Sequence, residues 1–141
     1  MSTRFHARLG AAFLGMMILI CPGAASDGKR RSPFAGSYTG KYIAHRLNAN
    51  DQQEGVDTTV IDEKGNVSGE ATNTTLNQTV KLTGSVDEDG RVRMVYEFAN
   101  ATYTATGTYS KTRKGNIIGT LTQWSGATAI SMIELELTPK R

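Results

Sequence analysis

From Phe34 to the end of the chain, apolar and polar residues alternate with a period of two. In NQTVKLTGSV, Val80, Leu82, Gly84 and Val86 share one parity, while Thr79, Lys81, Thr83 and Ser85 share the other. RVRMVYEF sets Val92, Met94, Tyr96 and Phe98 against Arg91, Arg93 and Glu97. TYTATGTY sets Tyr103, Ala105, Gly107 and Tyr109 against Thr102, Thr104, Thr106 and Thr108. Successive side chains of a strand point to opposite faces, so this pattern predicts strands with one face in a core and one in water. Threonine and aromatic residues also fit a pleated, half-buried surface. Nothing after residue 25 shows comparable helical spacing.

The pattern predicts eight strands, at residues 36–45, 55–62, 67–73, 77–86, 91–99, 102–110, 116–124 and 127–138. Their connections are short, apart from RLNANDQQEG after the first strand. Short connections join antiparallel neighbours, because a parallel partner needs a crossover of a dozen or more residues. The predicted fold is all-β, an antiparallel up-and-down meander.

One bend recurs. Gly65, Gly90 and Gly115 lie 25 residues apart, each after a polar cluster (DEK, DED, KTRK) and just before a new alternating run. A glycine there suits the left-handed residue that follows a type I turn in a bulged hairpin. The repeat unit is thus two strands and two bends. On the inward parity stand many small residues: Gly36, Gly40, Gly69, Ala71, Gly84, Ala105, Gly107 and Gly119. Glycine inside a strand marks a bend or the close approach of another group. So many on one face predict strong curvature, hence a closed or nearly closed barrel, and room inside for a ligand. The outward parity is rich in Thr, Lys, Arg and Glu, the reverse of a lipid-facing band.

The ends and the charge change the picture in one respect. Arg4 and Arg8, the apolar run Leu9 to Ile20 and the small residues Gly23-Ala24-Ala25 read as a secretory signal cut after Ala25. Twelve residues fall short of the ~20 needed to span a bilayer. Ile20 stands where lipoprotein processing at Cys21 would want a small residue. The expected organisation is a signal peptide at 1–25, a polar lead-in at 26–33 and one barrel domain at 34–141. Localisation is expected to be periplasmic or secreted. Of 16 basic residues two leave with the signal, so 14 face 13 acids and the net charge drops to near +1. Such a balance gives no electrostatic case for nucleic acid. Cys21, the single cysteine, leaves as well, so stability must come from packing and sheet hydrogen bonds.

Candidate chemistry is sparse. His45 is the one histidine after processing, which excludes a His-rich zinc site and leaves no Ser-His-Asp or Cys-His arrangement. Asp62, Glu63, Asp87, Glu88 and Asp89 cluster in bends as turn formers. An EF-hand alignment of DEDG puts Tyr96 where the bidentate Glu belongs. The sequence therefore points to no enzyme, no catalytic residue, no metal ligand and no cofactor. Asn66, Asn73, Asn77 and Asn100 begin Asn-x-Ser/Thr triplets, which a threonine-rich sheet generates by composition. The aromatic residues carry more. Tyr38, Tyr96, Tyr103 and Trp124 are the expected ligand-binding residues, since a pocket mixes apolar walls with a few polar tips. The alternative is that they fill a packed core, with hydroxyls bonded to backbone.

The order Gly36-Ser37-Tyr38, Asp62-Glu63-Lys64-Gly65-Asn66-Val67-Ser68-Gly69, Leu82-Thr83-Gly84 and Thr122-Gln123-Trp124 resembles the layout of avidin-type barrels. Lipocalin-type barrels offer a looser comparison. The resemblance implies eight antiparallel strands and an interior ligand site. Trp124 is the lone tryptophan, however, and the family's other stacking tryptophans have no counterpart, which argues against biotin. The function expected is an exported small barrel that binds a small apolar or amphipathic ligand in its interior. The alternative is a structural or interaction protein of the cell envelope with a filled core.

Overall fold

The computed structural model describes residue 28 and residues 30–141, so the signal expected at 1–25 lies outside the described residues. Eight strands follow in order: β1 (Gly36–Arg46), β2 (Gln52–Ile61), β3 (Asn66–Asn73), β4 (Gln78–Val86), β5 (Arg91–Glu97), β6 (Thr102–Lys111), β7 (Ile117–Ser125) and β8 (Thr128–Pro139). Each pairs antiparallel with the next, and β8 returns to β1, closing the barrel. The described residues contain no helix. The meander and the barrel are as the alternation implies.

The predicted strand ends hold to within a few residues. β2 departs furthest, beginning at Gln52 rather than at residue 55. The long β1 needs a partner along its whole length, so the polar residues Gln52 and Gln53 pair with His45 and Ala44. A ladder of backbone hydrogen bonds extends the strand where no hydrophobic pattern announces it.

Leu82 and Met94 face inward and are each 1% exposed. Around them pack Ile61, Val86, Ile117, Leu121 and Leu137. Burying each such side chain contributes about 1.5–3 kcal/mol. The sorting inverts in β2. There Asp57, Thr59 and Ile61 are buried, while Val56 and Val60 are 39% and 47% exposed. Register enforces this. Thr59 stands opposite Tyr38 of β1, and Asp57 stands between Gly40 of β1 and Ala71 of β3, all on the concave face. A slip of one residue would return the valines to the core but turn every neighbouring pair inside out.

The three repeated bends are one structure. Gly65, Gly90 and Gly115 take φ of 87°, 86° and 86°. In each, the glycine N–H donates to the carbonyl of the residue three before it: Asp62, Asp87 and Thr112. That residue's own side-chain oxygen accepts backbone N–H bonds across the bend, from Asn66 to Asp62, from Arg91 to Asp87 and from Asn116 to Thr112. The Asn66 amide and backbone, with Lys64 N–H, hold the Asp62 carboxyl below its ordinary range.

All three bends lie at one end of the barrel, and that end is shut. The carbonyls of Gly65 and Gly90 accept the N–H groups of Val86 and Tyr109, tying each bend to the next hairpin. The segment before β1 crosses the opening. Phe34 is 5% exposed, its ring lies 6.5 Å from that of Tyr109, and its carbonyl accepts the Tyr38 hydroxyl at 2.8 Å.

The inward glycines set curvature rather than open space, which corrects the expectation that they leave room for a ligand. A Cβ on Gly40 would overlap the Glu136 carbonyl of β8, and one on Gly107 the Thr120 carbonyl of β7. Neighbouring strands come that close only because the side chain is missing.

One substitution at the sealed end and a control at the opposite end test the plug. Phe34→Ala should cost about 3–5 kcal/mol in urea unfolding, the cost of removing a buried aromatic ring. Leu47→Ala, in the β1–β2 loop at 49% exposure, should stay within about 0.5 kcal/mol of the parent.

Candidate functional site

Opposite the sealed end, the barrel opens into a cavity of about 90 Å³. Its walls come from the inward-facing positions of the strands as they approach the β1–β2, β3–β4, β5–β6 and β7–β8 connections. Ala44, Ala71, Val80 and Ile133 make the apolar wall. Their modest size matters, since larger inward residues fill the barrel lower down. Nearer the mouth stand the amides of Gln53, Asn73, Gln78 and Gln123, with the hydroxyl of Ser131. Asn73 Nδ2 donates to Gln53 Oε1 at 2.8 Å, and Asn73 Oδ1 accepts the Leu76 N–H, which fixes that side of the rim. Leu76 and Phe98 flank the entrance.

Asp57 lines this cup as well. It is 4% exposed, and its Oδ1 is the one fully buried side-chain oxygen or nitrogen without a hydrogen-bond partner among the described residues. A buried polar atom left unpaired costs about 1–3 kcal/mol, more if it is charged. Burial raises the Asp57 carboxyl from its ordinary value near 4 to about 7. Three tyrosines share its surroundings. Tyr42, whose ring covers Gly55 across the β1–β2 ladder, is pushed up to about 12 by burial and then by the Asp57 charge. Burial, followed by the same charge, also raises Tyr96 and Tyr109. Among the described residues, no lysine, arginine or histidine lines the cup. The nearby Arg46 is held by Asp51 at 2.9 Å, and His45 faces outward beside Glu134 at 3.5 Å.

The four aromatic residues singled out in the sequence do not converge. Tyr96 is in the cup. Tyr103 is its cross-strand partner and sits in the vestibule above, edge-on to Phe98 with ring centroids 5.0 Å apart. Tyr38 lies at the sealed end with its hydroxyl committed to the Phe34 carbonyl. Trp124 is on the outside. Gln123 continues the inward parity of Leu121 and takes the place in the cup, so the next residue faces out. There Trp124 Nε1 donates to Thr106 Oγ1 at 3.0 Å, in a shallow groove with Arg93, Val95 and Thr104.

The sequence reading missed Asp57 and the amide rim. Asp57 carries a signal nonetheless: it is an acid inside a strand rather than in a bend, where aspartate is disfavoured. Its parity hid it, because Val56 and Val60 claim the apolar face of β2 in any hydrophobicity pattern.

Neither a protein-family model nor a curated protein sequence matches the chain. Among solved structures, the chain is similar to a structural-genomics protein of unknown function from Bacteroides ovatus, at 13% identity and a TM-score of 0.47. The alignment covers 78% of this chain and 42% of that one, so the chain spans less than half the length of that protein.

Stability should therefore depend on pH in an unusual direction. The fold resists losing the Asp57 proton, so ionisation favours unfolding. Stability is greatest where Asp57 is protonated in both states, falls as pH rises from about 4 to about 7, and is level above that. The full drop is on the order of 4 kcal/mol. Asp57→Asn should remove this slope and make the protein more stable than the parent at pH ~8, on the order of 2–4 kcal/mol. Urea unfolding across that pH range measures both.

Proposed function

We propose that this chain is an exported small-molecule-binding barrel whose ligand enters at the β1–β2, β3–β4, β5–β6 and β7–β8 end. The observation that carries the reading is the asymmetry of the interior. One end is packed and plugged by Phe34, while the other holds a cavity with small apolar walls, a polar rim and an unpaired buried carboxylate. Binding sites combine those features: an apolar enclosure with few, convergent polar groups.

Size constrains the ligand. A cavity of about 90 Å³ is below the ~300–1,000 Å³ of sites that engulf drug-sized molecules. The cup therefore receives one end of an amphipathic molecule, and the remainder lies in the vestibule against Leu76, Phe98 and Tyr103. A water-filled exterior fits the charges on the outer face. Lys41, Lys81, Arg93, Glu134 and Glu136 occupy mid-strand positions where a lipid-embedded barrel would be apolar. Reading residues 1–25 as an export signal, we assign this work to the periplasm or the outside of the cell. On this reading the likeness to avidin-type and lipocalin-type barrels lies in architecture and in using the interior. The reading gives the protein no catalytic role.

An environment-sensitive apolar dye should bind the parent protein with a rise in fluorescence. Ala71→Leu, which fills the cup from β3, should weaken dye binding at least about tenfold, since overpacking costs about 1–3 kcal/mol. Trp124→Phe should leave it unchanged. Equal loss in both variants, or none in either, would place the dye outside the barrel.

A further inference from the structure

The structure assigns the cup to a ligand with a compact cationic head, a primary ammonium or an amidinium, that pairs with the Asp57 carboxylate. The inference rests on the binding reading above and names the chemistry of its ligand. Two independent features point to it. Asp57 lines the cavity, and its fully buried Oδ1 has no hydrogen-bond partner, so a donor that reaches the carboxyl group meets an acceptor already stripped of water. Among the described residues, no side chain lining the cup supplies a countercharge either.

The inward face of each strand can be followed in turn. β1 contributes Tyr38 and Tyr42, β2 contributes Gln53, Thr59 and Ile61 beside Asp57 itself, β5 contributes Tyr96, and β6 contributes Tyr103 and Tyr109. The inward positions of β3, β4, β7 and β8 carry aliphatic, glycine, serine and amide side chains. Every cation on the barrel belongs to the outer face, the connections or the ends. A neutral head can give the carboxylate a hydrogen bond but no countercharge, and an anion would add a second desolvated charge. An ammonium or amidinium instead forms a charge-assisted hydrogen bond, roughly twice as strong as a neutral one. The amide oxygens of Gln78 and Gln123 and the hydroxyls of Tyr42 and Ser131 line the same cup as acceptors for its remaining N–H groups. The apolar vestibule then takes an aliphatic or aromatic tail.

Matched six-carbon probes separate the alternatives: hexylammonium, hexan-1-ol and hexanoate, titrated by calorimetry into the full chain. At pH about 8.5 Asp57 is ionised and an alkylamine is still protonated. Hexylammonium should then bind at least about tenfold more tightly than hexan-1-ol, a difference of about 1.4 kcal/mol. At pH about 5.5 only a few per cent of the protein carries the charge, so hexylammonium should bind about 30-fold more weakly while hexan-1-ol is unaffected. In Asp57→Asn the ammonium-to-alcohol ratio should fall to about one. Equal affinity of ammonium and alcohol, tighter binding of hexanoate, or an ammonium preference that survives Asp57→Asn would overturn the cationic head and leave the cup as a binding site. Failure of all three probes and of the apolar dye would overturn the binding reading itself.

Discussion

The pairing of β1 with β8 is the constraint on which the molecule depends. It removes every sheet edge, so no strand offers unpaired backbone to another chain. It also fixes the circumference, and with it the space inside. Eight strands enclose an interior just wide enough for side chains to fill. At Gly40 and Gly107 the curvature is tight enough that a neighbouring carbonyl occupies the place of a Cβ. Closure thus dictates register around the ring. The register sends Asp57 inward and Val56 and Val60 outward, against the preference of each residue taken alone.

The interior that results is used in two ways. At the end of the three repeated bends it is filled by Leu82, Met94, Ile117, Leu121 and Leu137, and Phe34 caps it from the lead-in segment. Toward the other end the inward residues become small or polar: Ala44 and Ala71, then Gln53, Asn73, Gln78 and Gln123. Stability is concentrated in the first half, which lets the second half carry a feature that opposes folding. A buried carboxylate without a partner is such a feature. An acid perturbed by burial and set in a cleft is a functional-site candidate on physical grounds.

The architecture was legible because it is written redundantly. Alternation in β4, β5 and β6 gives the strands, and the recurrence of Gly65, Gly90 and Gly115 after polar clusters gives the corners, whose side-chain hydrogen bonds repeat at Asp62, Asp87 and Thr112. Of the four aromatic residues expected to bind a ligand, only Tyr96 and Tyr103 lie at the cup or its vestibule. Aromatic content points to where an interior could bind something but not to which end is open. Tyr38 has the same parity as Tyr96 and lies at the plugged end, while Trp124 sits one residue past the inward position. Asp57 could not be read from hydrophobicity, since its face is set by partners on β1 and β3 distant in sequence. Long-range register carried that information, and a single strand does not contain it.

The account turns on whether the Asp57 carboxyl is dry, unpaired and open to a ligand. Carboxyl-carbon NMR of the protein, assigned by Asp57→Asn, follows that one group through a pH titration. The account requires a midpoint near 7 in the free protein, moving down by more than one pH unit when hexylammonium is bound. A midpoint in the ordinary aspartate range near 4, unmoved by the ammonium, would show a hydrated acid and contradict it.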